Sequence, residues 1–205
     1  MKLFTFPGSC STGIRILLED VGKPYETVKV DLAKGEQFKA EFLAVNPKAK
    51  VPALLREDGS LLTEWPAIAW WLAKSHPELG LLPEDAEGEA RALELLDYMV
   101  ATLHMRGFTR MFRPGNFTPT TADEPAVVQT GRDIAADGVK LLSHALGAKA
   151  YLLGDYSIAD SMLFMIEFWS LGRAKIDLPD NLVQHFARMK ERPAVQRTLA
   201  ADGLA

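Results

Sequence analysis

A change of pattern near residue 76 restricts the fold more than any other feature. Before it, short strand-like and helix-like pieces alternate. "KLFTF" (2–6) is β-prone, and "TGIRILLEDV" (12–21) places Ile14, Leu17, Leu18 and Val21 at helical spacing. Gly22 and Pro24 end that helix, and "ETVKVDL" (26–32) alternates as a second strand. "QFKAEFLAV" (37–45) reads as a short amphipathic helix stopped by Asn46-Pro47. "VPALLRE" (51–57), "EDGS" (57–60) and "LLT" (61–63) read as a hairpin. "EWPAIAWWLAKS" (64–75) is a helix that tolerates Pro66 in its first turn. The order β-α-β-α-β-β-α predicts a mixed four-stranded sheet, parallel in its first strand–helix–strand unit and antiparallel in its hairpin.

After "HPELGLLPEDAEG" (76–88), rich in Pro, Gly and acid, no strand pattern returns. The spacing predicts helices over 89–112, bending near Gly107, and over 126–146, 157–172 and 181–193, then a short last helix. The 157–172 segment is apolar almost all round, which marks the buried central helix of a bundle. The expected organisation is an α/β domain (1–76), a linker (77–88) and an all-α domain (89–205).

The bulk numbers exclude several classes. A net charge of −4, from 23 basic against 27 acidic residues, argues against nucleic acid as the main partner. The longest apolar run is seven residues, Ala67 to Ala73, far short of a membrane span. Met1 to Gly8 lacks the apolar core of a signal peptide, and the one cysteine permits no intrachain disulfide, so a cytoplasmic location is expected. That cysteine and the 4 scattered histidines offer no metal-ligand spacing.

Cys10 is the residue with most chemistry. It stands in "PGSCS" (7–11), at or just before the first helix, where orphan N–H groups lower a thiol's pKa from ~8.5. It reads either as a group acting on sulfur chemistry or as a small residue at a turn. Pro52 opens a strand, where its missing N–H is tolerated. Glu64-Trp65 opens a helix, where an acid suits the dipole and free N–H groups attract an anion. Lys34, Lys48 and Lys50 are loop lysines that either supply positive charge to a site or stand in solvent. Ser157 and Asp160 form a capping box that starts the central helix, a structural role.

Taken together, "MKLFTFPGSCS", "NPKAKVPAL", "LLTEWPAIAWWLA", "GDYSIADSMLF" and "RPAVQRTLA" resemble, in order and spacing, the soluble glutathione S-transferases, and the opening cysteine resembles their bacterial beta class. The resemblance covers essentially the whole chain. It implies a thioredoxin-like first domain, a homodimer, and glutathione as co-substrate. It implies a cis proline at Pro52, with Val51 pairing the cysteinyl part of glutathione like an added strand. It places Glu64 and the Trp65 N–H on the γ-glutamyl end, in a pair where a small residue usually stands and Trp65-Pro66 stands here. It places Lys34 on the glycyl carboxylate, with Lys50 adding charge. The thiolate would lie near Cys10, with Ser9, Ser11 and Thr12 as alternative hydroxyls. Arg106 falls at a lysine position of beta-class proteins and is the expected cationic contact to the thiolate; His104 falls one residue out of register. Met105, Phe108, Phe112 and Trp169 would hold a small apolar electrophile. Three functions stay open at this point: conjugation of the glutathione thiolate, thiol oxidoreductase or peroxidase chemistry through a Cys10 mixed disulfide, and a binding or regulatory protein without turnover.

Overall fold

The computed structural model describes all 205 residues, which divide into two units: Met1–Leu82 with Lys190–Ala205, and Pro83–Met189. The grouping of the last sixteen or so residues with the first unit differs from the sequence-based division, which gave everything after residue 88 to the helical domain. The reason is electrostatic and is described below.

In the first unit, β1 (Lys2–Thr5) lies at the centre of a four-stranded sheet of order β2-β1-β3-β4, with β2 (Glu26–Lys29), β3 (Ala53–Leu55) and β4 (Leu61–Thr63). β1 pairs with β2 in parallel, Phe4 opposite Val28, and with β3 antiparallel, Phe4 opposite Ala53. β3 and β4 close the hairpin, Leu54 opposite Leu62. Strand alternation sends Phe4 and Ala53 to one face, where they meet Val30, Phe42 and Val51. Leu3 and Leu54 point to the other face and are fully buried, as are Ile14, Leu17 and Leu18 of α1 (Ser11–Val21) and Ile68 and Leu72 of α3 (Trp65–Ser75).

Two elements are shorter than the pattern predicts. β2 stops at Lys29, and the helix expected over 37–45 is a single 3₁₀ turn, Glu36–Phe38, followed by α2 (Ala40–Leu43). Lys39 is extended (φ −75°, ψ 149°) and separates the two.

Residues 193–202 form the last helix, α9 (its neighbours α4 to α8 are given below). It is fastened to α1 by charge: Thr12 Oγ1 donates to Asp202 Oδ2 (2.9 Å), Arg15 pairs with Asp202, Arg192 with Asp20 (3.1 Å) and Arg197 with Glu19 (2.7 Å). The Asp202 side chain is 1% exposed, so its pairing is not a solvent-screened surface contact.

The second unit is helical. α4 (Ala86–Asp97) runs into a π-helical stretch, Tyr98–Phe108, and α5 (Thr109–Phe112). This widened winding includes Gly107, where the sequence predicts a bend. α6 (Glu124–Leu146) packs closely on it: a Cβ on Gly131 would lie 2.7 Å from the Gly107 carbonyl oxygen, which only glycine accommodates. α7 (Ile158–Trp169) is buried along nearly its whole length and starts at the Ser157/Asp160 capping box, as the sequence predicts. A second π turn, Ser170–Ala174, leads towards α8 (Asp180–Glu191). No helix is long and apolar enough to cross a membrane.

Candidate functional site

Three loops of the first unit converge on Cys10. It is the residue before α1 (φ −56°, ψ −22°), and its carbonyl accepts from Gly13 N–H (3.1 Å) and from the Trp65 indole Nε1–H (2.9 Å). Its thiol donates to the Val51 carbonyl at 3.5 Å. Cys10 therefore ties the start of α1 to the start of α3 and to the turn before β3.

Cys10 is 8% exposed, and burial pushes the pKa of its thiol up from 9.0 to about 12. The N–H groups of Cys10 and Ser11 and the charge of Lys50 pull the other way without overcoming desolvation. This reverses the sequence expectation of a lowered pKa. The orphan N–H groups do face the sulfur, but the surrounding apolar packing, unreadable from local sequence, outweighs them.

The neighbouring hydroxyls are consumed by the turn. Ser11 is fully buried; its Oγ lies 2.7 Å from Thr5 Oγ1 and 2.6 Å from Ser9 Oγ, and it accepts from Phe6 N–H (3.1 Å). Ser9 donates to the Phe6 carbonyl (2.7 Å). Thr12 accepts from Gly8 N–H (3.0 Å) while donating to Asp202. Ser11 and Thr12 are thus structural groups rather than reacting hydroxyls, and Ser9 is half-buried with its proton committed to a carbonyl.

The Val51–Pro52 bond is cis. Val51 buries its side chain against Phe4, Phe42 and Ala53, and its N–H takes no hydrogen bond within the chain. The loop before it is shaped by Asn46, a residue sequence reasoning used only as a helix stop. Its buried amide donates to the Lys50 carbonyl (2.8 Å) and accepts from Lys48 N–H (3.1 Å). An Asn-Pro pair followed by a strand is the signal that could have identified it.

Glu64 has φ 70° and ψ 125°, a left-handed value that costs a non-glycine residue ~1–3 kcal/mol. Its exposed carboxylate takes Lys48 Nζ at 2.8 Å, and the same ammonium reaches Thr63 Oγ1 (2.9 Å). Trp65 is 3% exposed, with its indole turned inward to Cys10. The large ring that stands in place of the usual small residue does not project beside the site: it is turned inward as part of the site's floor. Lys50 is exposed and near enough to act on the Cys10 sulfur, whereas Lys34, also exposed, pairs with Asp31 at 3.5 Å.

The remaining predicted residues lie in the second unit. Arg106 is exposed and Met105 and Phe112 are half-buried. Phe108 is fully buried, its ring 5.4 Å from Trp169 and 5.7 Å from Phe112. Trp169 is 5% exposed and also packs on His104 (4.8 Å). Phe108 and Trp169 are therefore core residues of the helical unit rather than open walls for a substrate, because both rings lie on the packed side of their helices.

Comparison with known proteins identifies the family. Residues 8–75 match the family described as glutathione S-transferase, N-terminal domain. The chain is 37% identical to glutathione S-transferase GstA of Escherichia coli O157:H7, with 100% of each chain covered. The chain belongs to the glutathione S-transferase family. It is an enzyme of that family, a transferase, with the thioredoxin-like first domain and helical second domain of the glutathione S-transferase fold. Among solved structures, a sphingomonad glutathione S-transferase complexed with glutathione superposes with a TM-score of 0.86 at 34% identity, 100% of each chain covered. A glutathione transferase homologue from Sulfitobacter with bound glutathione gives 0.91 at 28% identity, covering 100% of this chain and 98% of that one. No group of three or more His, Cys, Asp and Glu residues is placed to hold a metal ion.

Proposed function

We propose that the first unit binds reduced glutathione at the Cys10–Val51–Trp65 junction and that the enzyme joins its sulfur to small electrophiles. The observation that carries this reading is the junction itself: one residue, Cys10, is bonded to both the Val51 carbonyl and the Trp65 indole. The unpaired Val51 N–H receives the cysteinyl backbone as an added strand. The Trp65 N–H and the Glu64 carboxylate receive the γ-glutamyl end, with Lys48 exchanging partners. Lys50, and Lys34 on release from Asp31, supply charge for the glycyl carboxylate.

In this reading Cys10 stays protonated. Its S–H turns from the Val51 carbonyl to the incoming glutathione sulfur, and together with the N–H groups at the start of α1 it favours the thiolate of glutathione over the thiol. The thiolate then attacks the electrophilic carbon; a C–S bond forms, and the leaving group departs with its electron pair or the new carbanion takes a proton. A mixed-disulfide cycle needs Cys10 itself as thiolate, which its burial disfavours. Arg106 is proposed as the cation acting on the thiolate, and Met105 and Phe112 as contacts for the acceptor. A homodimer and a cytoplasmic location are proposed on the strength of the family.

The test is calorimetric titration with reduced glutathione, followed by turnover of 1-chloro-2,4-dinitrobenzene, for wild type and Cys10→Ala. Binding by both, with the apparent pKa of bound glutathione higher in the variant, supports the reading. No binding by wild type refutes it.

A further inference from the structure

We infer that the helical unit carries a recognition site for a small organic carboxylate, built from the arginines at the end of the π-helical stretch and after α7. "RGFTRMFRPGNF" (106–117) holds three arginines and no acid, and "SLGRAKI" (170–176) two cations and no acid, in a chain whose net charge is −4. Arg106 lies near the end of the π-helical stretch, Arg110 in α5, and Arg113 directly after α5.

The structure brings the two segments together. The Arg173 guanidinium donates to the Phe112 carbonyl (3.0 Å) and lies over the Phe112 ring at 4.4 Å. Arg110 donates to the Arg106 carbonyl (2.8 Å) and lies over the Phe117 ring at 4.3 Å. Gly131 of α6 sits against Arg110 Cβ, and the adjacent Arg132 donates to the Lys175 carbonyl (3.3 Å). The two segments and α6 are therefore joined at three places, Gly131 on Arg110, Arg132 on Lys175 and Arg173 on Phe112.

What these cations lack is a counter-charge. Arg15, Arg91, Arg192 and Arg197 each pair with a carboxylate elsewhere in the chain. None of Arg106, Arg110, Arg113, Arg132, Arg173 and Lys175 has a carboxylate within 4.0 Å. Their partners are carbonyl oxygens and aromatic faces, which orient a guanidinium and leave its charge in place. The nearest acid to this segment, Glu124, has its carboxylate against Gly115, and a bound carboxylate would supply the counter-charge the guanidiniums lack. The guanidinium fork accepts a carboxylate through two parallel hydrogen bonds, and aromatic stacking fixes the fork beforehand, so little freedom is lost on binding. The ligand class is thus an organic carboxylate, rather than the wholly apolar electrophile that Met105 and Phe112 alone suggest. That this carboxylate is the acceptor substrate rests on the transferase reading above; the binding site itself does not.

The test separates the two. Calorimetry without glutathione compares 3-nitrobenzoate with the neutral 3-nitrobenzamide, and with inorganic phosphate, on wild type, Arg110→Gln, Arg173→Gln and Arg113→Gln. The expected result is benzoate binding at least ~10-fold tighter than amide, weakened ~5-fold or more by each substitution and by raising salt from about 50 to 300 mM. Equal binding of benzoate and amide, no response to any of the three substitutions, or tighter binding of phosphate than of benzoate overturns the site. Turnover then compares 4-chloro-3-nitrobenzoate with its amide in the presence of glutathione. In both, the C–S bond forms as chloride leaves with the C–Cl electron pair. The expected benzoate-to-amide ratio of kcat/KM exceeds ~10 in wild type and falls towards one in the variants. Selective binding with turnover of the amide alone overturns the acceptor assignment. Turnover of neither compound, nor of 1-chloro-2,4-dinitrobenzene, refutes the transferase reading and leaves the carboxylate site standing.

Discussion

The protonation of Cys10 is the point on which the chemistry of the first unit turns, and it is directly measurable. Burial raises the thiol from 9.0 to about 12. Three units correspond to ~4 kcal/mol against the charged form. At pH 8 an unperturbed cysteine is roughly one-tenth thiolate, while Cys10 is about one ten-thousandth thiolate. Because only the thiolate reacts, alkylation of the native protein by iodoacetamide is expected to run about 1,000-fold slower than that of a free cysteine peptide. Steric shielding would also slow the reaction, so the slope decides. A raised pKa makes the rate climb about tenfold per pH unit, without a plateau, up to roughly pH 10.5. Shielding of an ordinary thiol lowers the whole curve but leaves its plateau beginning near pH 9. The assay is the pseudo-first-order rate of Cys10 modification by intact mass spectrometry from pH 6 to 10.5, in the absence of glutathione. A plateau beginning at or below pH 9 would refute the argument that desolvation outweighs the N–H groups at the start of α1. It would also restore the mixed-disulfide reading.

Three further outcomes follow from named contacts. Trp65→Phe keeps the buried ring and removes the Nε1–H that Cys10 accepts, so it is expected to cost ~0.5–1.5 kcal/mol in urea unfolding and to weaken glutathione binding by up to about tenfold; unchanged affinity would show that the indole does not hold the site. Gly131→Ala puts a methyl 2.7 Å from the Gly107 carbonyl oxygen, and this overpacking against backbone is expected to destabilise by ~1–3 kcal/mol, read by thermal melting; a neutral result would show that α6 stands further off. In the second unit, fully buried His185 lies 2.9 Å from Glu167 and 3.3 Å from Asp160. Burial lowers its pKa but the two carboxylates overcome that and raise it to about 9, while burial raises Glu167 to about 7. Both groups hold protons in the folded state that the unfolded chain releases earlier. The histidine's contribution is complete below pH 6.5 and is lost as pH rises through 9, with a limiting slope of ~1.4 kcal/mol per pH unit. Urea midpoints are expected to fall between pH 6.5 and 9 in wild type and to be flatter in His185→Gln; parallel curves would exclude the histidine as the source.

What the sequence disclosed follows from the range of the forces involved. The strand order needed only local alternation and the β-α-β-β signal, and the capping box at Ser157 and Asp160 is contained in four consecutive residues. The elements around Cys10, Val51 and Glu64 were legible because each is a short turn read from Pro, Gly or a helix start. The side-chain directions were not. Trp65 reads in the chain only as a departure from the usual small residue and is a strut in the fold, since its indole meets a carbonyl fifty-five residues away. Ser11 and Thr12 read as spare hydroxyls and are spent on Thr5 and Asp202, contacts of short and very long range respectively. The last helix was assigned to the bundle because helices followed helices, whereas its charges at Arg192, Arg197 and Asp202 answer those of α1.

The same distinction explains why Cys10 was read with the wrong sign. A helix start offers a thiol N–H groups, and that offer is visible in seven residues. Whether the sulfur also keeps contact with water depends on Val51, Trp65 and the packing of two other loops over it. In this chain those loops close, and closing them exchanges a reactive cysteine for a hydrogen-bond donor surrounded by N–H groups. Burial, against the pull of those N–H groups, disfavours ionisation of Cys10, and in the function proposed above the donor and the N–H groups favour that of a second sulfur laid beside it. In that proposed function, one residue thereby selects glutathione over itself as the nucleophile, and it does so only while Trp65 and Val51 keep it buried. Loss of either contact is therefore expected to increase Cys10 alkylation and to decrease glutathione turnover together, and a variant that moved one without the other would break the link between burial and choice of nucleophile.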